Sequence, residues 1–344
     1  MEIEDIRISI DRIKNILLIN TDFVNNFGLN GKLGAAIFFF HLSRIENRKK
    51  NLKYGNHFLD SIANMPNDIE MNFIDGLSGV GYGIDLLNRF EFIDIEINSI
   101  LQDADVKIYN YIINCPVEDI ISTLSGAKYI LKRVTHVNNN EESYFLFAEL
   151  LIKISDKIEQ FLEFNKTKWE VLNDNNLALS VQIFDILRGM NKVGINLIQN
   201  NRILDNLREQ LAHLAKLKFQ PIDIYSIGLY VKVISQFGIN TFKKELEING
   251  QKSDHFNFYR ELRFYFAYLE FKDNEQESLF KYINVSQVPT LKQLSSHALD
   301  VLVNEFGSIP LGIWGLSGLG ISLINVLAEE QSITEVFKIS TFCS

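Results

Sequence analysis

Apolar residues recur at three- and four-residue intervals along most of the chain. "IRISIDRIKNILLI" (6–19), "ADVKIYNYIINC" (104–115), "SYFLFAELLIKISDKIEQFLEF" (143–164), "NRILDNLREQLAHLAKL" (201–217) and "TLKQLSSHALDVLVNEF" (290–306) all follow this period. It predicts helices with one buried face. The first four carry charge on the opposite face, as helices on the outside of a domain do. Between them lie segments that are more apolar throughout or that open with glycine. "NVSQVP" (284–289) has the composition of a loop, and no stretch reads as a linker.

The glycine-opened segments repeat. "GLNGKLGAAIFFF" starts at Gly28, "GLSGVGYGIDLL" at Gly76 and "GLSGLGISLI" at Gly315. Weaker copies are "DIISTLSGAKYIL" (119–131), "NLALSVQIFDIL" (176–187), "IDIYSIGLYVKVI" (222–234) and "DHFNFYRELRFYF" (254–266). Seven units result, with second anchor positions at Gly31, Gly79, Gly126, Ile183, Gly228, Tyr259 and Gly318. Most spacings suit one helical hairpin per unit. The reading is one all-α domain over residues 1–344, an α/α toroid of about fourteen helices in two concentric rings. Inner helices would start at a shared mouth, where small residues let backbones approach closely. The glycines do not read as a phosphate cradle, because no β-strand precedes them.

Composition narrows the function. The 344 residues are 47% hydrophobic with 26 Phe and only 5 Pro, which suits long helices and a large core. The net charge of −9, with no basic block, argues against nucleic acid. Two cysteines, Cys115 and Cys343, exclude a disulfide framework and suit a reducing cytosol. The start, "MEIEDIRISIDRIKNILLI", lacks the basic region of a signal peptide. Apolar runs such as "LGAAIFFFHL" are too short to span a bilayer.

"GLSGVGYG", "EDIISTLSG" and "GIWGLSGLGISLI", in that order, resemble the LanC-like family, the lanthionine cyclases of peptide natural-product maturation. The resemblance runs from about residue 5 to 330 and implies an α/α toroid with its site at the glycine-rich mouth. It also implies zinc, held by two Cys and a His in patterns like W-C-x-G and C-H-G. That metal keeps a substrate cysteine as thiolate, which adds to a dehydrated Ser or Thr. Neither pattern is present in this chain. By register the first zinc cysteine falls near Asp223, the Cys-His pair near Asp254 and His255, and a family histidine on Leu179. A family aspartate is kept as Asp119.

Asp223, Asp254 and His255 therefore admit two readings. They can hold a harder metal such as Mn²⁺, Fe²⁺ or Zn²⁺, or both aspartates can be helix N-caps. Asp119 is an N-cap or a general acid/base at the mouth. Asp75 invites the same pair, with capping favoured. Gly31, Gly79, Gly126, Gly228, Trp314 and Gly318 form the expected ligand-binding mouth, with Ser78 and Ser317 beside them, while Tyr225, Phe256 and Tyr259 are candidates to plug it. His41 reads as a core or surface residue, and His57, His136, His213 and His297 as structural residues on or beside outer helices. The expectation is a zinc-free, cytoplasmic scaffold without catalysis that binds a precursor peptide or a peptide-modifying enzyme. The alternatives are a cyclase or lyase using Asp119 with a carboxylate/His metal site, and a carbohydrate-active toroid.

Overall fold

A computed structural model describes residues 3–20, 26–63, 65, 69–137, 142–166, 169 and 173–214. It also describes 233, 236, 237, 265, 290–296, 312, 313 and 315–330. Among these no strand occurs. The helices are α1 (Ile3–Ile19), α2 (Lys32–Ile45), α3 (Arg48–Ile62), α4 (Leu77–Arg89) and α5 (Ile97–Asn114). There follow α6 (Ile120–Val134), α7 (Glu142–Asn165), α8 (Asp174–Lys192), α9 (Leu197–Leu214) and α10 (Leu316–Glu330).

Burial follows the apolar period. On α1 the buried positions are Ile6, Ile10, Ile13 and Leu17, and on α9 they include Ile203, Leu207, Leu211 and Leu214. These helices show one face to the core and the other to water. α2 is different: every residue from Leu33 to Ser43 is buried. A helix apolar on all sides needs neighbours on all sides, and α2 packs against α3, α4 and α10.

The contacts order the helices into two layers. α10, α2, α4, α6 and α8 touch in that succession. α1 lies on α10, α3 on α2, α5 on both α4 and α6, and α7 on both α6 and α8. Short connections make each inner–outer pair antiparallel, as between α2 and α3, where only Glu46 and a left-handed Asn47 intervene. The inner helices are therefore parallel and start on one face. The contact of α10 with α2 joins the last unit to the first. Two apolar clusters result, one around α1, α2, α3 and α10 and one from α5 to α9. Tyr82 and Ile84 of α4 pack against both.

The first repeat sits in a different register from the expected one. Gly31 is the N-cap of α2, the place Gly76 takes on α4. Gly34 is thus the counterpart of Gly79 in the first turn. The backbone decides this: Lys32 N–H donates to Asn26 O at 2.9 Å, and Leu77 N–H to Glu70 O at 2.8 Å, each from the first helical residue. A Cβ on Gly34 or Gly79 would collide with a carbonyl oxygen of its own approach loop, from Leu29 or Phe73. Gly318 takes the same first-turn place in α10.

Candidate functional site at the inner-helix N-termini

Three approach loops interlock on the face where the inner helices begin. Ile313 N–H donates to Leu29 O at 2.8 Å, and Asn30 N–H donates to Ile74 O at 3.1 Å. The loop of the last unit is thereby bonded to that of the first, and the first to the second. Gly312 and Gly28 occupy matching places: Gly315 N–H donates to Gly312 O and Gly31 N–H to Gly28 O, both at 2.9 Å. A Cβ on Gly312 would overlap the Asn30 backbone. The repeated glycines thus let one loop lie directly on the next.

Its place before Gly76 suggested that Asp75 caps α4, but it does not. Gly76 is the N-cap, and the Asp75 carboxylate instead accepts from the Asn26 amide, tying the first two loops by side chains as well. Ser78, expected to open onto the mouth, is fully buried and donates to Met71 O at 2.7 Å.

Asp119 is the N-cap of α6. Its carboxylate accepts from Ser122 N–H at 3.3 Å and from the Tyr111 hydroxyl at 3.1 Å. Burial pushes its pKa up, but hydrogen bonds from Ser122, Tyr111 and Cys115 outweigh burial and hold the carboxyl below its ordinary value. The stabilisation from ionised Asp119 is therefore present above the ordinary carboxylate range of about pH 4 and is lost as pH falls through the lowered folded value.

Cys115 lies beside it as the C-cap of α5, 7% exposed. Its Sγ is 3.6 Å from the Asp119 carboxylate, and the Thr123 hydroxyl donates to it at 3.7 Å. Burial raises the thiol pKa, reinforced by the charge of Asp119 and opposed by Thr123 and Lys157. Lys157 reaches across from α7 to the last carbonyls of α5, at Ile112 and Cys115. The end of one helix and the start of the next are thus held by one polar cluster.

Of the expected mouth glycines, Gly31 and Gly79 are buried under their approach loops. Gly126 lies mid-helix in α6, where a Cβ would meet Ile112 and Ile108 of α5. Lys128, also on α6, is partly exposed, with its ammonium over the Phe73 ring at 5.2 Å from the centroid. Leu179, where the family histidine was expected, is partly buried on α8. Asp223, Gly228, Asp254, His255 and Trp314 lie outside the described residues, as do Tyr225, Phe256, Tyr259, His297 and Cys343.

Residues 23–180 match the family model described as Lanthionine synthetase C-like protein. Over that segment the chain is similar to that family. No curated protein and no solved structure matches it. The LanC-like segment carries α2 to α7 and the first turns of α8, and so includes Asp119 and Leu179. The α10 unit lies beyond it, yet repeats the loop geometry of its first unit through Gly312 and Gly315.

Two polar groupings near the C-terminal end of α6 were not anticipated. His136 follows inner helix α6, not an outer helix, and its Nδ1 is 2.7 Å from the carboxylate of Asp85 on α4, which is 2% exposed. Arg133, on α6, is also 2% exposed. Its Nε and Nη2 lie 3.1 and 2.9 Å from the Asp105 carboxylate, and Nη2 donates to Asn98 at 3.0 Å. The Tyr129 hydroxyl joins the same carboxylate, and burial followed by Asp105 drives its pKa well above the usual value. Lys132 is lowered by burial and by Arg89, against an opposing pull from Asp85. His41 is fully buried, and burial, then Arg44, holds it neutral. Each partner is 28 or more residues away from its arginine or imidazole in sequence, so helical periodicity carries no signal for these pairs.

Proposed function

We propose that this LanC-like chain binds a peptide at the inner-helix mouth and does not form thioethers by zinc-thiolate chemistry. The observation that carries the reading is the commitment of the mouth's polar groups to structure. Asp119 caps α6 and is held ionised, which makes it a poor proton donor at neutral pH. Cys115 is buried with its thiol pKa raised, the opposite of what a metal-bound or nucleophilic thiolate needs. A LanC-type zinc site takes thiolate sulfur, and neither W-C-x-G nor C-H-G occurs in the sequence; Asp223, Asp254 and His255, which take those places by register, carry no thiol and lie outside the described residues. What these residues build instead is a rigid rim of interlocked loops with Phe73, Tyr82 and Lys128 beside it, in which Phe73 and Tyr82 stack edge-on at 5.0 Å.

The test uses a synthetic peptide holding one dehydroalanine and one cysteine, titrated by fluorescence anisotropy. Lys128→Trp adds bulk on the partly exposed face of α6 and is expected to weaken binding about tenfold or more. Asp119→Ala removes the cap at a cost of about 1 kcal/mol in urea unfolding and leaves binding near wild type. Normal binding by folded Lys128→Trp, with binding lost in folded Asp119→Ala, would place recognition at the carboxylate and overturn the reading.

A further inference from the structure

A second recess lies away from the mouth, on the outer layer. The N-terminal halves of α5 and α7 enclose a cavity of about 590 Å³. Val106 and Leu146 line it and stay 55% and 44% exposed, while Phe147 beneath them is 4% exposed. Arg133 and Asp105 line it as well. The Arg133 side chain is 2% exposed, with Nε and Nη2 satisfied by Asp105 and Asn98, but Nη1 is buried with no hydrogen-bond partner. A buried donor without an acceptor is costly, and a ligand carbonyl supplies what it lacks.

The charges select among ligands. Two carboxylates, Asp105 and Glu142, face one guanidinium in the lining. The positive starts of both helices are already answered, by Glu96 accepting from Ser99 N–H at 2.6 Å on α5 and by Glu142 in the first turn of α7. A free anion is therefore disfavoured and a cationic group favoured. We propose that this cleft binds a peptide segment in which an aliphatic or aromatic residue stands next to a lysine or arginine. The apolar side chain packs on Val106, Leu146 and Phe147, a backbone carbonyl accepts from Arg133, and the cation meets Glu142. The site is separate from the mouth, so the two stand or fall independently.

The probe is N-acetyl-Leu-Lys-Leu-amide, titrated into the full chain by saturation-transfer NMR, with N-acetyl-Leu-Glu-Leu-amide as comparator. Leu146→Arg and Val106→Arg change exposed positions, and each is expected to weaken the lysine peptide about tenfold or more. The glutamate peptide is expected to bind wild type about tenfold more weakly. Ile198→Arg, on α9 at 89% exposure, leaves binding unchanged, as does Lys128→Trp at the mouth. Wild-type binding by Leu146→Arg, or equal binding of the two peptides, would overturn the proposal. Loss of binding in Lys128→Trp alone would put the probe in the mouth and remove the cleft. A dimer by light scattering that Leu146→Arg splits would assign the cleft to a second copy of the chain, and would also overturn it.

Discussion

Gly79→Ala is expected to unfold at lower urea than wild type, with a loss on the order of 3 kcal/mol. A single methyl group has this effect because of what it meets. A Cβ on Gly79 points into the Phe73 carbonyl of the approach loop, which is backbone and has no rotamer to retreat into. That loop is fixed in turn by Ile74 O, which accepts from Asn30 of the neighbouring unit. Relief at Gly79 therefore means breaking the loop-to-loop bond. Gly189→Ala, in the last turn of α8, is the matched comparison. Its Cβ would meet only the Leu131 side-chain tip at 2.9 Å, which can swing aside, and removing a helix-interior glycine gains up to about 1 kcal/mol. Equal loss in the two variants would mean that the rim is not built on close backbone approach.

Arg133→Met is expected to cost about 3 kcal/mol. The reason is the group left behind. Asp105 has 15% of its side chain exposed and takes its main compensation from Arg133. Removing the guanidinium leaves that carboxylate desolvated and also leaves Asn98 without its donor. Adding Asp105→Asn to Arg133→Met removes the stranded charge and is expected to recover most of the loss. Urea unfolding of both variants checks this. A double variant no more stable than Arg133→Met would show that the pair holds shape by packing alone, with Arg133 filling space beside Phe147.

Much of the fold was legible because it rests on local periodicity. The outer helices α1, α5, α7 and α9 bury the residues that their three- and four-residue spacing selects, and Asp119 caps α6 as its place before "IISTLSG" implies. α3 was missed for a physical reason. Its buried stripe is Asn51, Gly55, Phe58 and Ile62, half of it polar or small, so the apolar period is weak. The register of the first unit was misread because Gly28, Gly31 and Gly34 offer two overlapping frames of the same spacing. Only the backbone bonds of the approach loop distinguish them. Asp75 looked like a cap from its neighbours in sequence, but its partner, Asn26, comes from another unit. Likewise Asp85 with His136, and Asp105 with Arg133, are contacts between helices. Their charges read as ordinary surface charge until packing brings the helices together.

The central claim, a mouth that binds peptide without thioether chemistry, is tested most directly by counting thiols. The dehydroalanine- and cysteine-containing peptide is incubated with the protein at saturating concentration, alkylated with iodoacetamide and weighed. Thioether formation adds S–H across the dehydroalanine double bond, so it leaves the peptide mass unchanged but removes the site of alkylation. The account predicts that the bound peptide takes up its full alkyl label at the same rate of thiol loss as peptide alone. Protein-dependent loss of the label, rising with protein concentration, would contradict it.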